Sequence, residues 1–426
     1  MQLSITHANV GMINIPLDQS FRLGFGTLHT LPRVHLVLVA ETDSGQVTGV
    51  GESAIDFPFV HYDAWDIFSA LSSITAHEVQ LEVPWTSPVF FNDEIRHFPS
   101  AVAAYNMALD DIIGKIRRLP IYCVHGWTRD SGQALMSLPY MNSRSELEQA
   151  VNEACESGLV PKPKVGQGPK LDAETILLLD RMEKVEKAVF DFNATLNLEE
   201  FEELVAKCSS ARSNLEGMIL EQPTSKKLGI NGLQRAVEIL RESGLEAEIA
   251  ADESIVSSED GVALAKSGII LNLKIQKVGG FYAARSIEHA VQRATGNLPN
   301  SFVGGTFPTA IGRAYDQHCA ASLPSANLPG DGWLPSTNWF EGPKHLIREA
   351  FKEGNDGEYS PFDQPGLGIT IEWAKIKPFI VYDPESAYRK LRLGQKSPIV
   401  IELSGNKSYA EVYEEENPGL SATWNL

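Results

Sequence analysis

Apolar positions in this 426-residue chain follow two periods, and the change from one to the other divides it. In residues 33–53, RVHLVLVAETDSGQVTGVGES, an apolar run, an Asp43-Ser44-Gly45 turn and a second short run predict a β-hairpin. The period then lengthens. Residues 100–118, SAVAAYNMALDDIIGKIRR, have the apolar spacing of a helix, stopped by Leu119-Pro120. A sheet followed by helices predicts a separate α+β unit.

From residue 134 onward, short apolar runs alternate with amphipathic stretches. KAVFDFNA (187–194) precedes a stretch with one apolar stripe, Phe201, Leu204, Val205, Cys208 and Ala211. GMILEQP (217–223), EAEIAADES (246–254) and GIILNLKIQKVGG (268–280) each precede a further helical pattern. Such alternation predicts parallel strands joined by helical crossovers. Polar or small residues end the runs at Lys164, Asp191, Glu221, Asp252, Lys274 and Gly305, in steps of 27, 30, 31, 22 and 31 residues. ALMSLPYMN (134–142) supplies a first strand and LPSANLPGDGW (323–333) a last, making eight units. The predicted fold class is α/β, a (β/α)8-type barrel under an α+β capping domain. The expected division is 1–128 for the cap, 129–350 for the barrel, and 351–426 for a return segment and tail packing on the cap. The last ~45 residues, with the acidic AEVYEEENPG (410–419), read as solvated tail.

Composition narrows the function. Apolar residues make up 43% of the chain, enough for a sizeable core. The formal charge of −19 is spread along the sequence, which disfavours nucleic acid or an anionic membrane as a partner and suits a cation. Cys123, Cys155, Cys208 and Cys319 are widely spaced and read as free thiols. The opening MQLSITHANVGMINIPL shows neither a basic start nor a long apolar run, and a cytoplasmic location is expected. The sequence leaves a homo-oligomer open.

The ends of such barrel strands are where active sites form. Asp191, Glu221 and Asp252 end three consecutive strands there. Each alone is more often a helix cap or a solvated loop acid, Asp191 in particular a cap for the helix that follows. Side by side they would repel strongly without a cation, and an all-oxygen donor set favours Mg2+, with Mn2+ the alternative. Lys164 lies on the strand before them and Lys274 on the strand after, flanking any substrate held on the ion. A lysine becomes a base when its pKa falls from ~10.4 towards ~7–8, as a nearby dication and burial promote. Lys162 and Lys164 lie two apart, so both face one side of their strand. Lys162 reads either as a tuning group or, together with Lys164, as a structural partner of Asp191 and Glu221. Lys277 is expected at the rim, and Pro163 removes a donor from the strand.

The ordered set PKPKVG, FDFN, LEQP, ADES and LNLKIQKVGG resembles the enolase superfamily, specifically its muconate-lactonizing-enzyme subgroup. Residues 290–317 contain no His, which disfavours the mandelate-racemase subgroup. The resemblance implies Mg2+-dependent abstraction of a proton α to a substrate carboxylate, through an enediolate. Asp191, Glu221 and Asp252 are then the metal ligands and Lys164 and Lys274 the catalytic pair, with Lys162 and Asn193 auxiliary. GGTFPTAIGRA and LPGDGW are similar to the o-succinylbenzoate synthase and N-succinylamino acid racemase branch, although Pro308 stands where that branch has an acid. Dehydration or N-acylamino acid racemisation of a small carboxylate is therefore expected. Dipeptide or amino-acid-derivative epimerisation and muconate-type cycloisomerisation are the alternatives, and a non-catalytic metal-binding barrel is the reading from another class. SFRLGFGT (20–27) is expected to close the pocket, with Phe21, Arg22, Phe25, Gly304, Gly305 and Thr306 near substrate.

Overall fold

The computed structural model describes residues 2–23, 26–55, 59–80, 93–335, 346–380 and 401–403. The N-terminal pattern becomes a long antiparallel pair, β1 (Gln2–Leu23) and β2 (Gly26–Thr42), flanked by β3 (Gly45–Ser53) and β4 (His77–Gln80). The Asp43-Ser44-Gly45 turn forms as its residues dictate. Gly45 adopts φ +111°, and the Thr42 hydroxyl receives the Ser44 N–H and donates to the Gly45 carbonyl.

Helices α1 (Ala64–Ser72) and α3 (Pro99–Arg117) lie on this sheet, and α2 (Asp93–Arg96) and α4 (Ile121–His125) pack beside α3. Val34, Leu36 and Leu38 pack with Ile67, Leu71, Ala104 and Ile112 in one core. Two glycines of TGVGES set the approach of α3. A Cβ at Gly51 would fall 1.9 Å from the Ala104 carbonyl oxygen, and one at Gly49 2.0 Å from that of Ala108. Only bare backbone lets the helix lie so close.

The alternating region folds into staves and helices. After β5 (Gly132–Gln133) come β6 (Leu135–Leu138), α5 (Arg144–Glu156), β7 (Val160–Pro163), α6 (Pro169–Asp180), β8 (Ala188–Asp191) and α7 (Leu198–Ser210). Then follow β9 (Met218–Glu221), α8 (Gly229–Glu242), β10 (Glu248–Ala251), α9 (Ser258–Lys266), β11 (Ile270–Asn272), α10 (Ile275–Val278), α11 (Phe281–Thr295), β12 (Ser301–Phe302) and α12 (Ala310–Ser322). β8 to β12 form one parallel sheet and β6 with β7 another. Leu135, Val160, Val189, Ile219, Ala250, Ile270 and Phe302, one from each of β6 to β12, meet in a single interior layer that Leu328 joins. That shared layer is the inside of a closed barrel.

Two seams depart from a regular ladder. The eighth stave is an extended segment rather than a strand, joined by single bridges from Ala326 to Ser301 and from Gly330 to Ala134. Between β7 and β8 the cause lies in the sequence. The Lys164 N–H bonds Leu138 on one side and the Val165 N–H bonds Asp191 on the other. Alternate residues therefore face alternate neighbours, and Pro161 and Pro163 both fall where an N–H would face β8. Neither has one. The pairing of β7 with β6 stays in register through Pro163, so the proline costs a donor on the far side and makes no bulge.

The return segment ties barrel to cap. Gly366 receives the Ile121 N–H and donates to the Leu119 carbonyl, and the Leu367 N–H bonds Asp111 on α3. Past β13 (Lys352–Glu353), β14 (Glu358–Ser360) and α13 (Trp373–Ile376), Ile380 bridges Ile13. β15 (Ile401–Leu403) then adds a strand to β2. This corrects the tail expected here: residues 401–403 are sheet, because β2 offers free backbone donors and acceptors at that edge. The acidic stretch 410–419 lies outside the described residues. All four cysteines are free. Among the described residues no helix is long and apolar enough to cross a membrane.

Candidate active site at the barrel mouth

Asp191 and Glu221 are the last residues of β8 and β9, and Asp252 directly follows β10. None serves as a helix cap. Asn197 and Ser257 cap α7 and α9, and the residue before α8 is Leu228. The three carboxylates are buried to within 2% of full enclosure. Lys164 follows β7 and Lys274 follows β11, so the two lysines bracket the acids in stave order.

The ammonium groups lie on the carboxylates. Lys164 Nζ stands 2.5 Å from Asp191 Oδ2 and 3.0 Å from Asn193 Oδ1. Lys274 Nζ stands 2.8 Å from Asp252 Oδ2. Lys162, 1% exposed, stands 2.8 Å from Glu221 Oε2 and 3.5 Å from both Asp191 and Asp331. Lys162 and Lys164 thus both stand on the acids. Lys277 is not at the rim. It is buried and donates to Asp252 Oδ1 at 2.6 Å and to the Asp252 carbonyl, because the single turn of α10 folds it back over β10.

Electrostatics follow from the crowding. Burial opposes the charge on Lys162, but Asp331, Glu221, Asp191 and Asp252 outweigh it and hold its pKa well above that of a free lysine. Burial alone would raise Asp191 and Asp252. Lys164 and Lys162 lower the first below its ordinary value, and Lys274 and Lys277 lower the second further. Glu221 goes the other way, to about 7, since burial and the neighbouring acids exceed what Lys162 returns.

Several supporting residues escaped the sequence reading. Asn272 Nδ2 donates to Glu221 Oε1 at 2.8 Å. Gln222 Oε1 receives the backbone N–H groups of Asp252 and Ser254, fixing the turn that carries the third acid. Glu253 accepts from Asn193 Nδ2 at 3.2 Å. A polar residue two before Lys274 and one after Glu221 were signals available in the sequence. Their partners were not.

The pocket candidates divide. Phe21 is buried, its ring edge-on to Phe307 at 5.0 Å, and Arg22 is exposed and bonded to Asn142. Phe25 lies outside the described residues. Gly304 and Gly305 make room for Asn272 and Arg313, and the Thr306 carbonyl accepts from Arg33.

By chemistry the donor set suits a hard divalent cation: three carboxylates at adjacent stave ends, with positive charge already drawn to Glu221 Oε2 and Asp252 Oδ2, each 2.8 Å from an ammonium. Among the described residues no three acidic, His or Cys side chains are gathered around one point as an assembled metal centre. The Lys162 ammonium stands between Asp191 and Glu221.

Comparison with known proteins agrees with the fold and the motifs. The sequence model described as "Enolase C-terminal domain-like" matches residues 146–375. The chain is 25% identical over 321 residues to an L-Ala-D/L-amino acid epimerase of Populus trichocarpa, covering 73% of each. It superposes on muconate lactonizing enzyme from Pseudomonas fluorescens with a TM-score of 0.71 at 19% identity, covering 88% of this chain and 99% of that one. A dipeptide epimerase from Enterococcus faecalis, solved with Mg and the dipeptide L-Leu-L-Tyr, gives 0.67 at 21% identity, covering 86% and 99%. The chain belongs to the Enolase C-terminal domain-like family, and so to the enolase superfamily of enzymes.

Proposed function

We propose that this enzyme moves the proton on the carbon α to a substrate carboxylate, and that its substrate is an amino acid whose nitrogen is held in an amide, as in an N-acylamino acid or a dipeptide. The carrying observation is the placement of Lys164 and Lys274 at the two ends of the acid row, each within 2.8 Å of a terminal carboxylate. Asp191, Glu221 and Asp252 would hold a divalent cation, Mg2+ by donor type. Such an ion supplies positive charge against the negative charge that builds on the substrate carboxylate as the α-proton leaves.

The remaining steps belong to this chain's own side chains. Lys164, as the free amine, takes the proton from one face, and Lys274 returns one to the other. Asp191 and Asn193 orient Lys164 through its two hydrogen bonds. Lys162 stays charged and spreads that charge over Glu221, Asp191 and Asp331. The epimerases similar to this chain support inversion at the α-carbon. A syn-dehydration uses the same base with Lys274 as a standing cation.

The test is proton exchange in D2O with Mg2+, over a panel of N-acylamino acids, dipeptides and cyclohexadienyl acids. Inversion predicts deuterium at the α-carbon with no loss of water. Exchange that persists at the wild-type rate in Lys164→Ala would refute the base assignment.

A further inference from the structure

We infer that Asn272 is a positioning residue that holds Glu221 in the orientation a cation needs, and that the glycine at 304 is required to give Asn272 its place. The inference rests on the reading of Glu221 as a cation ligand. Asn272 ends β11, is fully buried, and shares a face with Lys274 two residues on. Its side chain reaches across β10 to the end of β9, where Nδ2 donates to Glu221 Oε1 at 2.8 Å. The amide has one productive orientation: turned over, it would set a carbonyl oxygen against a carboxylate.

Retaining this residue has a cost. Asn272 Oδ1 is buried without a hydrogen-bond partner, a penalty that a leucine of similar size would avoid. The gain that offsets it is the donor aimed at Glu221. The neighbouring stave is shaped around the same amide. A Cβ at Gly304 would fall 2.1 Å from Asn272 Oδ1 and 2.8 Å from both Cγ and Nδ2, so any side chain there must push the amide off its carboxylate. Gly304 therefore acts on Glu221 through Asn272.

The test is Mg2+ titration by calorimetry on the full chain, comparing wild type, Glu221→Gln, Asn272→Leu and Gly304→Ala. If wild type binds no Mg2+, or Glu221→Gln binds it equally well, the ligand reading falls and this inference with it. If wild type binds and Glu221→Gln does not, both Asn272→Leu and Gly304→Ala are expected to weaken Kd about tenfold to a hundredfold, the usual effect of losing a ligand's hydrogen-bond partner. Wild-type Kd in Asn272→Leu overturns the inference while leaving the ligand reading intact. Should Asn272→Leu fail to fold, Asn272→Ser carries the comparison. A merely structural role would lower the melting temperature and leave Kd unmoved.

Discussion

Glu52, on a strand of the N-terminal sheet, accepts the backbone N–H of Thr309 at 2.7 Å and also its hydroxyl, at the mouth of the barrel. His35 donates to the same carboxylate at 3.1 Å when its Nε2 carries the proton, and Arg33 grips the carbonyls of Thr306 and Phe307. Phe307 has a left-handed backbone, φ +52°, a conformation that persists only where its surroundings impose it. Two strands of one unit thus hold the turn after the seventh stave of the other.

Removing the hydroxyl tests that grip. Thr309→Val keeps the shape but leaves the buried Glu52 short of a donor. It should lose about 1–3 kcal/mol of stability, read from urea or thermal unfolding. Thr309→Ser should restore most of it.

Gly51→Ala asks whether bare backbone is needed under α3. The new methyl has nowhere to go but into the Ala104 carbonyl. A loss of about 1–3 kcal/mol is expected, the range for overpacking a close-fitting core. The same substitution at Gly11, where a Cβ meets nothing and the backbone is not left-handed, controls for the added methyl.

The two lysines should be separable by substrate hand. Lys164→Ala should lose exchange with substrate of one configuration, and Lys274→Ala with the other, each by about 10²–10⁴-fold. Equal loss of both hands in both variants would argue for a single base and a dehydration.

Acid stability should depend on His318. Burial lowers its pKa to about 3, outweighing the Leu367 carbonyl that accepts its Nε2–H. The folded state therefore binds fewer protons than the unfolded one between about 3 and the ordinary histidine value. Its contribution is complete above about 6.5 and is lost as pH falls towards 3. Urea midpoints measured from pH 7 to 4 should fall less steeply in His318→Gln, which keeps a donor and an acceptor but cannot charge. Parallel curves for the two proteins would remove His318 from the account.

The barrel was legible because each apolar run ends in a residue that does not belong in a core. Asp191, Glu221 and Lys274 mark their stave ends to within two residues, and spacing alone set them on neighbouring strands. Lys277 was misplaced because a strand's alternation says nothing about the helical turn after it. Asn272 and Gln222 read as ordinary polar residues, since their partners lie two staves away and one stave away, far along the chain. The three residues of β15 begin at the end of the β-branched run Ile399-Val400-Ile401, a strand signal that was passed over, and only the edge left free by β2 gives them a partner.

By itself the sequence determined the order of staves and helices, the acids and amines that crown them, and the missing donors of Pro161 and Pro163, because each is a local property of residue type and period. Tertiary structure alone decided which ammonium meets which carboxylate, that Lys162 joins four elements at one point, and that Gly304 must be small for the sake of Asn272. Those depend on distances between residues far apart in the chain, which are set when the barrel closes and brings its stave ends into one ring.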